Sequence, residues 1–492
     1  MRVLHITPEI YPYVKTGGLA DVAGALPLAL QDTNIDSRMC LPGFEGILDH
    51  LEKPETVIRF ANYFGTAEPR LLRGQLDNGL TAYVLEAPGF YKRKSLYVDE
   101  NGADWPDNPF RFAALAKIAA DLHLYDPDWQ ADILHSHDWQ GGLAPLYSQL
   151  SPNKTPPKTV LTIHNMAYQG LFSAQHLSAL GLPMDFYKAE GIEYYQKIGF
   201  LKAGLFYADQ ITTVSPTYAE EIQTADFGCG LDGLLSHRRH SLTGIINGID
   251  TNIWSPETDS ALPCTFSSKN LSDKKKNRQA LIKEFGLSTK QKGPLFTVIS
   301  RMSPQKGLDL IIDVLPYIIA KSGQVIVLGS GDEKLEAAYM ILAKKHPDHI
   351  AVSTAYDEAL AHRLIGGADA LLMPSLFEPC GLVQMYALAY GTIPVVRATG
   401  GLADTVKDNI TGFKFQEASA AAFRTCLDRA FASFADPKAW KALQQAAMTE
   451  DFSWKSSAAA YTRLYQHLLG PAQTPAVLTT APKSRNAKKS LA

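Results

Sequence analysis

Short runs of apolar, β-branched residues alternate along this chain with longer stretches whose apolar positions recur every three or four residues. The runs at 3–6, 81–85, 132–137, 159–163 and 210–214 read as strands of the first half. Those at 295–300, 324–328, 370–373 and 393–396 read as strands of the second. Amphipathic patterns such as 109–122 and 216–222 follow several of them. Strands alternating with helices predict a mainly parallel sheet covered on both faces. Two such series predict an α/β chain of two doubly wound domains.

The stretch 254–276 is rich in Pro, Ser, Asp and Lys and reads as a connection. It places a first domain at 1–250, a link at 251–276 and a second domain at 277–455. The segment 437–469 reads as mostly helical, with Asp436 as its cap and Pro437 in its first turn. The end, 470–492, carries Pro471, Pro475, Pro482 and several lysines but few large apolar residues. It is expected to be a disordered tail.

Length and composition narrow the class. A chain of 492 residues exceeds one ordinary core. With 46% hydrophobic and 20% charged residues it reads as globular and soluble. A net charge of −3 offers no general attraction to nucleic acid or an anionic membrane, so neither is expected as a partner. No apolar run approaches the ~18 residues of a membrane span. The five cysteines include no C-x-x-C pair, which argues against a zinc ribbon and fits a reducing compartment. The chain opens directly into a strand pattern, without a signal or transit peptide, and the expected location is the cytoplasm.

The hexapeptide Thr-Gly-Gly-Leu-Ala-Asp at 16–21 recurs letter for letter at 399–404. It predicts two related Gly-rich turns facing one cleft. In the first copy Lys15 precedes the glycines, after a strand and at a helix start. Backbone amides, a helix N-terminus and a lysine together suit phosphate, although a plain tight turn with a surface lysine would read alike. The segment 300–307 repeats the logic, with Arg301 and Lys306 flanking a turn that Ser303 is expected to cap. Two fixed cations there suit a leaving diphosphate. Beyond the strand at 370–373 lie Glu378, Pro379, Cys380 and Gly381. Asp138 ends another strand and suits hydroxyls, and Trp139 offers either a stacking face or core. His135 and His137 share a strand face, but no further ligand stands out in the sequence, so no metal is expected. His164 and Asn165 follow a strand and suit carbohydrate. The glycines at 228–233 fit G-x-G-x-x-G but follow a helical run, so they read as a loop rather than a dinucleotide site.

In their order, the segments 15–21, 135–139, 164–170, 200–209, 213–218, 247–250, 300–307, 377–382 and 399–406 resemble the bacterial glycogen synthase and plant starch synthase family. The resemblance runs from residue 1 to about 469. It implies two Rossmann-like domains facing a central cleft, the GT-B glycosyltransferase fold, with a helix at 456–469 packing back on the first domain. It implies transfer of glucose from ADP-glucose to the non-reducing end of an α-1,4-glucan, with retention and without a cofactor. Lys15, Arg301 and Lys306 would contact the diphosphate, and Gly18 and the Gly401-Leu402 turn would offer backbone groups. Asp138, His164, Asn247, Glu378 and Cys380 match positions around the sugar, with Gly381 beside them. Asp21 and Tyr97 match positions near the donor. The position eight residues after Glu378 is Tyr386, so no carboxylate pair is expected, and a front-face route without metal is favoured. Two alternatives stay open: another enzyme of this fold using UDP-glucose, and a glucan-binding protein without catalysis.

Overall fold

A computed structural model describes residues 1–355 and 357–470. Among these, two main sheets organise the chain. The first has nine strands, in spatial order Leu242–Gly244, Gln210–Thr213, Lys158–Ile163, Ile133–His137, Arg2–Ile6, Asp36–Pro42, Thr81–Glu86, Arg70–Leu76 and Leu51–Arg59. The last two join antiparallel and the rest are parallel. The second sheet is parallel throughout, in the order Ile350–Ser353, Gln324–Leu328, Leu295–Ile299, Ala370–Met373, Ile393–Arg397 and Phe413–Phe415.

The central strands carry unbroken apolar runs because helices cover both faces. Gln324–Leu328, for example, is buried along its whole length. The antiparallel edge Leu51–Arg59 escaped the pattern reading because it is largely polar. It exposes Glu52, Lys53, Pro54 and Glu55, residue types that discourage edge-to-edge pairing.

Each sheet reverses its order once. From Arg2–Ile6 the chain goes outward through Asp36–Pro42 to the edge strand Leu51–Arg59, comes back through Arg70–Leu76 and Thr81–Glu86, then crosses to Ile133–His137 on the other side. From Leu295–Ile299 it builds toward Ile350–Ser353, then returns to Ala370–Met373. Loops leaving the two strands at such a reversal diverge and open a crevice at the strand ends. The segments that follow these four strands carry Lys15, Asp138, Arg301 with Lys306, and Glu378. Topology therefore gathers the chemistry-bearing residues.

The helical end forms two helices, Pro437–Ala447 and Trp454–Leu469. Asp436 caps the first, accepting from the amides of Lys438 and Ala439. In the break between them the Ile249 amide donates to the Phe452 carbonyl. The final helix lies on the first sheet, where Trp454, Ala458, Tyr461 and Tyr465 share a core with Val3, Val22, Leu26, Ile133 and Val160. Burying each such large apolar side chain contributes about 1.5–3 kcal/mol of transfer free energy. Leu262 and Phe266, from the stretch read as a connection, are buried against Ile365, Leu371 and Tyr390 of the second domain. Buried Lys274 donates to the Ile365 and Gly366 carbonyls and to the Thr392 hydroxyl. Apart from Gly470, the expected tail lies outside the described residues. Among the described residues no helix is long and apolar enough to cross a membrane.

Candidate active site

The two crevices open onto one cleft of about 2170 Å³, lined from both sheets. Lys15, Gly18, Asp21, Tyr97, Asp138, His164 and Asn247 line it from the first domain's side. Arg301, Lys306, Glu378, Cys380 and Gly381 line it from the second's.

The helix Gly18–Gln31 starts on an extended Gly17 with no side-chain cap. Among the described residues, a Cβ added at Gly17 would meet nothing within 4 Å, and one at Gly18 only the Leu382 side chain at 3.8 Å. These glycines answer no packing demand; they leave room beside the backbone. Glu9 holds the loop. Buried beside the first strand, it accepts from the Thr16 amide and hydroxyl, both at 2.6 Å, and from the Tyr97 hydroxyl. No local motif marks Glu9, because its partners lie 7 and 88 residues away. Lys15 donates to Asp21 at 2.7 Å and lies over the Tyr11 ring. Burial holds the Asp21 carboxyl above its ordinary value, and Lys15 offsets only part of that rise.

The second cationic turn differs from expectation. Ser303 caps no helix: its hydroxyl is buried without a partner among the described residues. Pro304–Lys306 form a 3₁₀ turn, Gly307 takes φ +62°, and only then does the helix Leu308–Ala320 begin. A Cβ at Gly307 would lie 2.2 Å from the Pro374 carbonyl, so glycine lets this turn close on the neighbouring strand end. That approach brings the Lys306 ammonium to the Glu378 carboxylate at 2.6 Å. The Ser375 hydroxyl donates to the same oxygen at 3.0 Å. Arg301 is exposed on the cleft wall.

The repeated hexapeptide does not face the cleft twice. Gly401 and Leu402 are buried away from it, and their amides are spent on the carbonyls of Glu378 and Thr399. A Cβ at Gly400 would lie 1.9 Å from the Glu378 carbonyl, and one at Gly401 2.0 Å from that of Cys380. These glycines pack the turn behind Glu378. The second copy also docks on the first domain. Asp404 accepts from the Thr217 amide and hydroxyl, and Glu221 from the Gly400 amide and the Thr399 hydroxyl. Beside Glu378, Gly381, at φ +69°, and Leu382 are among the residues that line the cleft.

Asp138 adopts φ +51°, rare for a non-glycine residue, and accepts from the His164 amide at 2.7 Å. Burial raises its carboxyl to about 7, against the pull of the His164 and Asn165 amides. Trp139 is chiefly core, packed edge-on to Phe112 with ring centroids 4.9 Å apart. The buried Asn247 Oδ1, at the cleft wall, has no partner among the described residues and so can accept a further hydrogen bond. Burial raises the Cys380 thiol to about 12, so it is no thiolate nucleophile.

The histidines require a correction. A third imidazole, His5, stands beside His135 on the neighbouring strand. His5, His135 and His137 each place a ring nitrogen within 4.8 Å of the others, a grouping that could hold a metal ion. The sequence concealed it because His5 lies 130 residues from His135 and meets it only through strand pairing. All three are buried, and desolvation holds them neutral, His5 titrating at about 3. His164 is likewise lowered to about 3.

A family model described as the starch synthase catalytic domain matches residues 2–237, and one described as glycosyl transferases group 1 matches 279–444. Glycogen synthases of Roseobacter denitrificans and Granulibacter bethesdensis are each 46% identical to the chain. Those matches cover 96% and 95% of this chain and 100% and 99% of theirs. The solved catalytic domain of starch synthase IV from Arabidopsis thaliana, bound to ADP and acarbose, superposes with a TM-score of 0.85 at 34% identity. It covers 95% of this chain and 99% of its own. A sucrose-phosphate synthase from Thermosynechococcus elongatus shares the fold, with a TM-score of 0.58 at 16% identity over 95% of this chain and 98% of its own.

Proposed function

The chain belongs to the glycogen synthase and starch synthase family of GT-B glycosyltransferases, and from that membership we propose that it transfers glucose from ADP-glucose to the non-reducing end of an α-1,4-glucan, with retention at C1. The observation that carries the reading is the convergence on one cleft of Lys15 from one sheet and Arg301 and Lys306 from the other. Fixed cations around a departing diphosphate stabilise the charge that develops as the C1–O bond breaks. Gly18, Gly381 and Leu382 leave backbone within reach of the same group.

His164, Asn247, Asp138 and Glu378 suit the sugar. Retention by double displacement would need a free carboxylate beside C1. Glu378 is engaged by Lys306 and Ser375, and Asp138 by backbone amides. This favours a front-face route, in which the acceptor O4 bonds to C1 on the side the diphosphate leaves and the leaving phosphate oxygen takes the O4 proton. Tyr97 and Asp21 act through the loop: Tyr97 fixes Glu9, and Asp21 orients Lys15. The first domain (1–250) would serve the acceptor and the second (277–455) the donor nucleotide. The ADP of the Arabidopsis structure supports ADP as that nucleotide, and its acarbose supports an α-glucan acceptor. The proposed location is the cytoplasm.

Release of ADP from ADP-glucose, and of UDP from UDP-glucose, each with and without glycogen, tests the reading. Glycogen-dependent ADP release with little UDP release is expected. Faster UDP release would overturn the donor, and silence with both would overturn the transferase.

A further inference from the structure

His5, His137 and His164 stand on three successive parallel positions of the first sheet. His5 belongs to Arg2–Ile6, His137 to the adjacent Ile133–His137, and His164 follows the next strand, Lys158–Ile163. His5 Nδ1 is 3.2 Å from His137 Nε2, and His137 Nδ1 is 3.0 Å from His164 Nε2. Only His164 lines the cleft. We propose that His5 and His137 are positioning residues: a relay of two imidazoles that fixes the ring plane and tautomer of His164, so that its Nδ1 presents an N–H to the cleft.

The direction follows from counting hydrogens. A neutral imidazole has one N–H and one bare nitrogen, and each contact between rings needs one of each. His137 joins both neighbours, so it donates to one and accepts from the other. Both bonds therefore run the same way, toward His164 or toward His5. The far nitrogen, His5 Nε2, is buried with no partner among the described residues. If the bonds ran toward His5, that nitrogen would be a buried N–H without an acceptor. If they run toward His164, it is a bare lone pair, and buried orphan N–H groups are the rarer defect. The relay thus runs outward, each ring in its Nδ1–H form, and His164 Nδ1–H meets the cleft as a donor. His135 is not part of it, since its Nδ1 lies 2.7 Å from the Tyr465 hydroxyl and its Nε2 2.6 Å from that of Thr162.

The consequence rests on the proposed function. An N–H at that position can donate to any oxygen of the transferred sugar, including the ring and anomeric oxygens that carry no proton, whereas the other tautomer could only accept from a hydroxyl and would present a lone pair to those two. Nitrogen-15 spectra of histidine-labelled full-length protein, which distinguish Nδ1–H from Nε2–H rings, test the relay without substrate. The expected result is Nδ1–H for His5, His137 and His164. An Nε2–H ring at His164 overturns it. Displacement of these signals by added Zn²⁺ also overturns it, assigning His5 and His137 to metal instead.

Kinetics supply the second arm. His5→Leu should lower kcat about tenfold, the scale of one misdirected hydrogen bond, with a smaller change in donor KM and an altered His164 tautomer. His5→Asn, whose amide nitrogen replaces Nδ1 as donor, should recover part of both. Lower stability in His5→Leu with kcat and the His164 signal unchanged would reduce His5 to core packing and sink the relay. Nδ1–H rings in a protein that transfers no glucose would leave the relay standing and reject the proposed function.

Discussion

Lys306 and Glu378, 72 residues apart, meet at 2.6 Å because two loops leave adjacent strands where the second sheet reverses its order. Both side chains are largely buried at the cleft wall. A buried ion pair is weak evidence for stability, since desolvation offsets most of its attraction. It lines the cleft together with Arg301 and Gly381, where the proposed function gives it the departing diphosphate to hold.

Lys306→Ala should cut kcat by about 10²–10³, the usual effect of removing one preorganised group that stabilises transition-state charge. Glycogen affinity should change far less. Steady-state rates alongside glycogen co-sedimentation check this, and unaltered turnover would remove Lys306 from the chemistry.

Asp138 should make folding stability depend on pH. Its carboxyl titrates near 7 in the fold, against 3.8 ordinarily. Between those values the folded protein holds a proton that the unfolded chain has released, so rising pH favours unfolding. This group's unfavourable contribution starts near pH 4 and is complete above about pH 7, reaching roughly 4 kcal/mol at most. Asp138→Asn keeps an acceptor for the His164 amide and removes the titration. Urea denaturation at pH 5 and pH 8 should show the variant gaining on the parent at pH 8, and an equal difference at both would refute the assignment.

The duplicated hexapeptide should respond oppositely in its two copies. Gly18→Ala meets only a contact at 3.8 Å, so stability should hold while the KM for the donor rises. Gly401→Ala drives a Cβ to 2.0 Å from the Cys380 carbonyl and should destabilise by about 1–3 kcal/mol. Thermal melts and donor kinetics of the two variants separate the roles. A stable Gly401→Ala protein would contradict the packing assigned to that turn.

Tyr465→Phe removes the hydroxyl beside His135 Nδ1 under the final helix. Leaving a buried nitrogen unpartnered costs about 1–3 kcal/mol. Chemical denaturation should show that loss, and an unchanged midpoint would mean that this hydrogen bond does not help hold the helix to the first sheet.

The strands and the fold class were legible because local patterns carry them. Buried parallel strands must be continuously apolar, and the helices that cover them must be amphipathic, so residues 3–6 or 324–328 announce themselves without their neighbours. The cationic and Gly-rich segments were legible for a related reason: loops at strand ends need small, polar or charged residues, and these break the apolar pattern visibly. Family resemblance then named the chemistry. What the chain could not disclose by itself are relations set by strand order and loop closure. Glu9 looks ordinary until Thr16 and Tyr97 close on it, and His5 joins the other imidazoles only through sheet register. The two copies of Thr-Gly-Gly-Leu-Ala-Asp are identical as text, yet one leaves open space at the cleft and the other is packed against Glu378 and Cys380. Local sequence decides which secondary structure forms, because hydrogen bonding and side-chain periodicity act over a few residues. Which identical turn meets substrate is decided by what the remaining residues place in front of it.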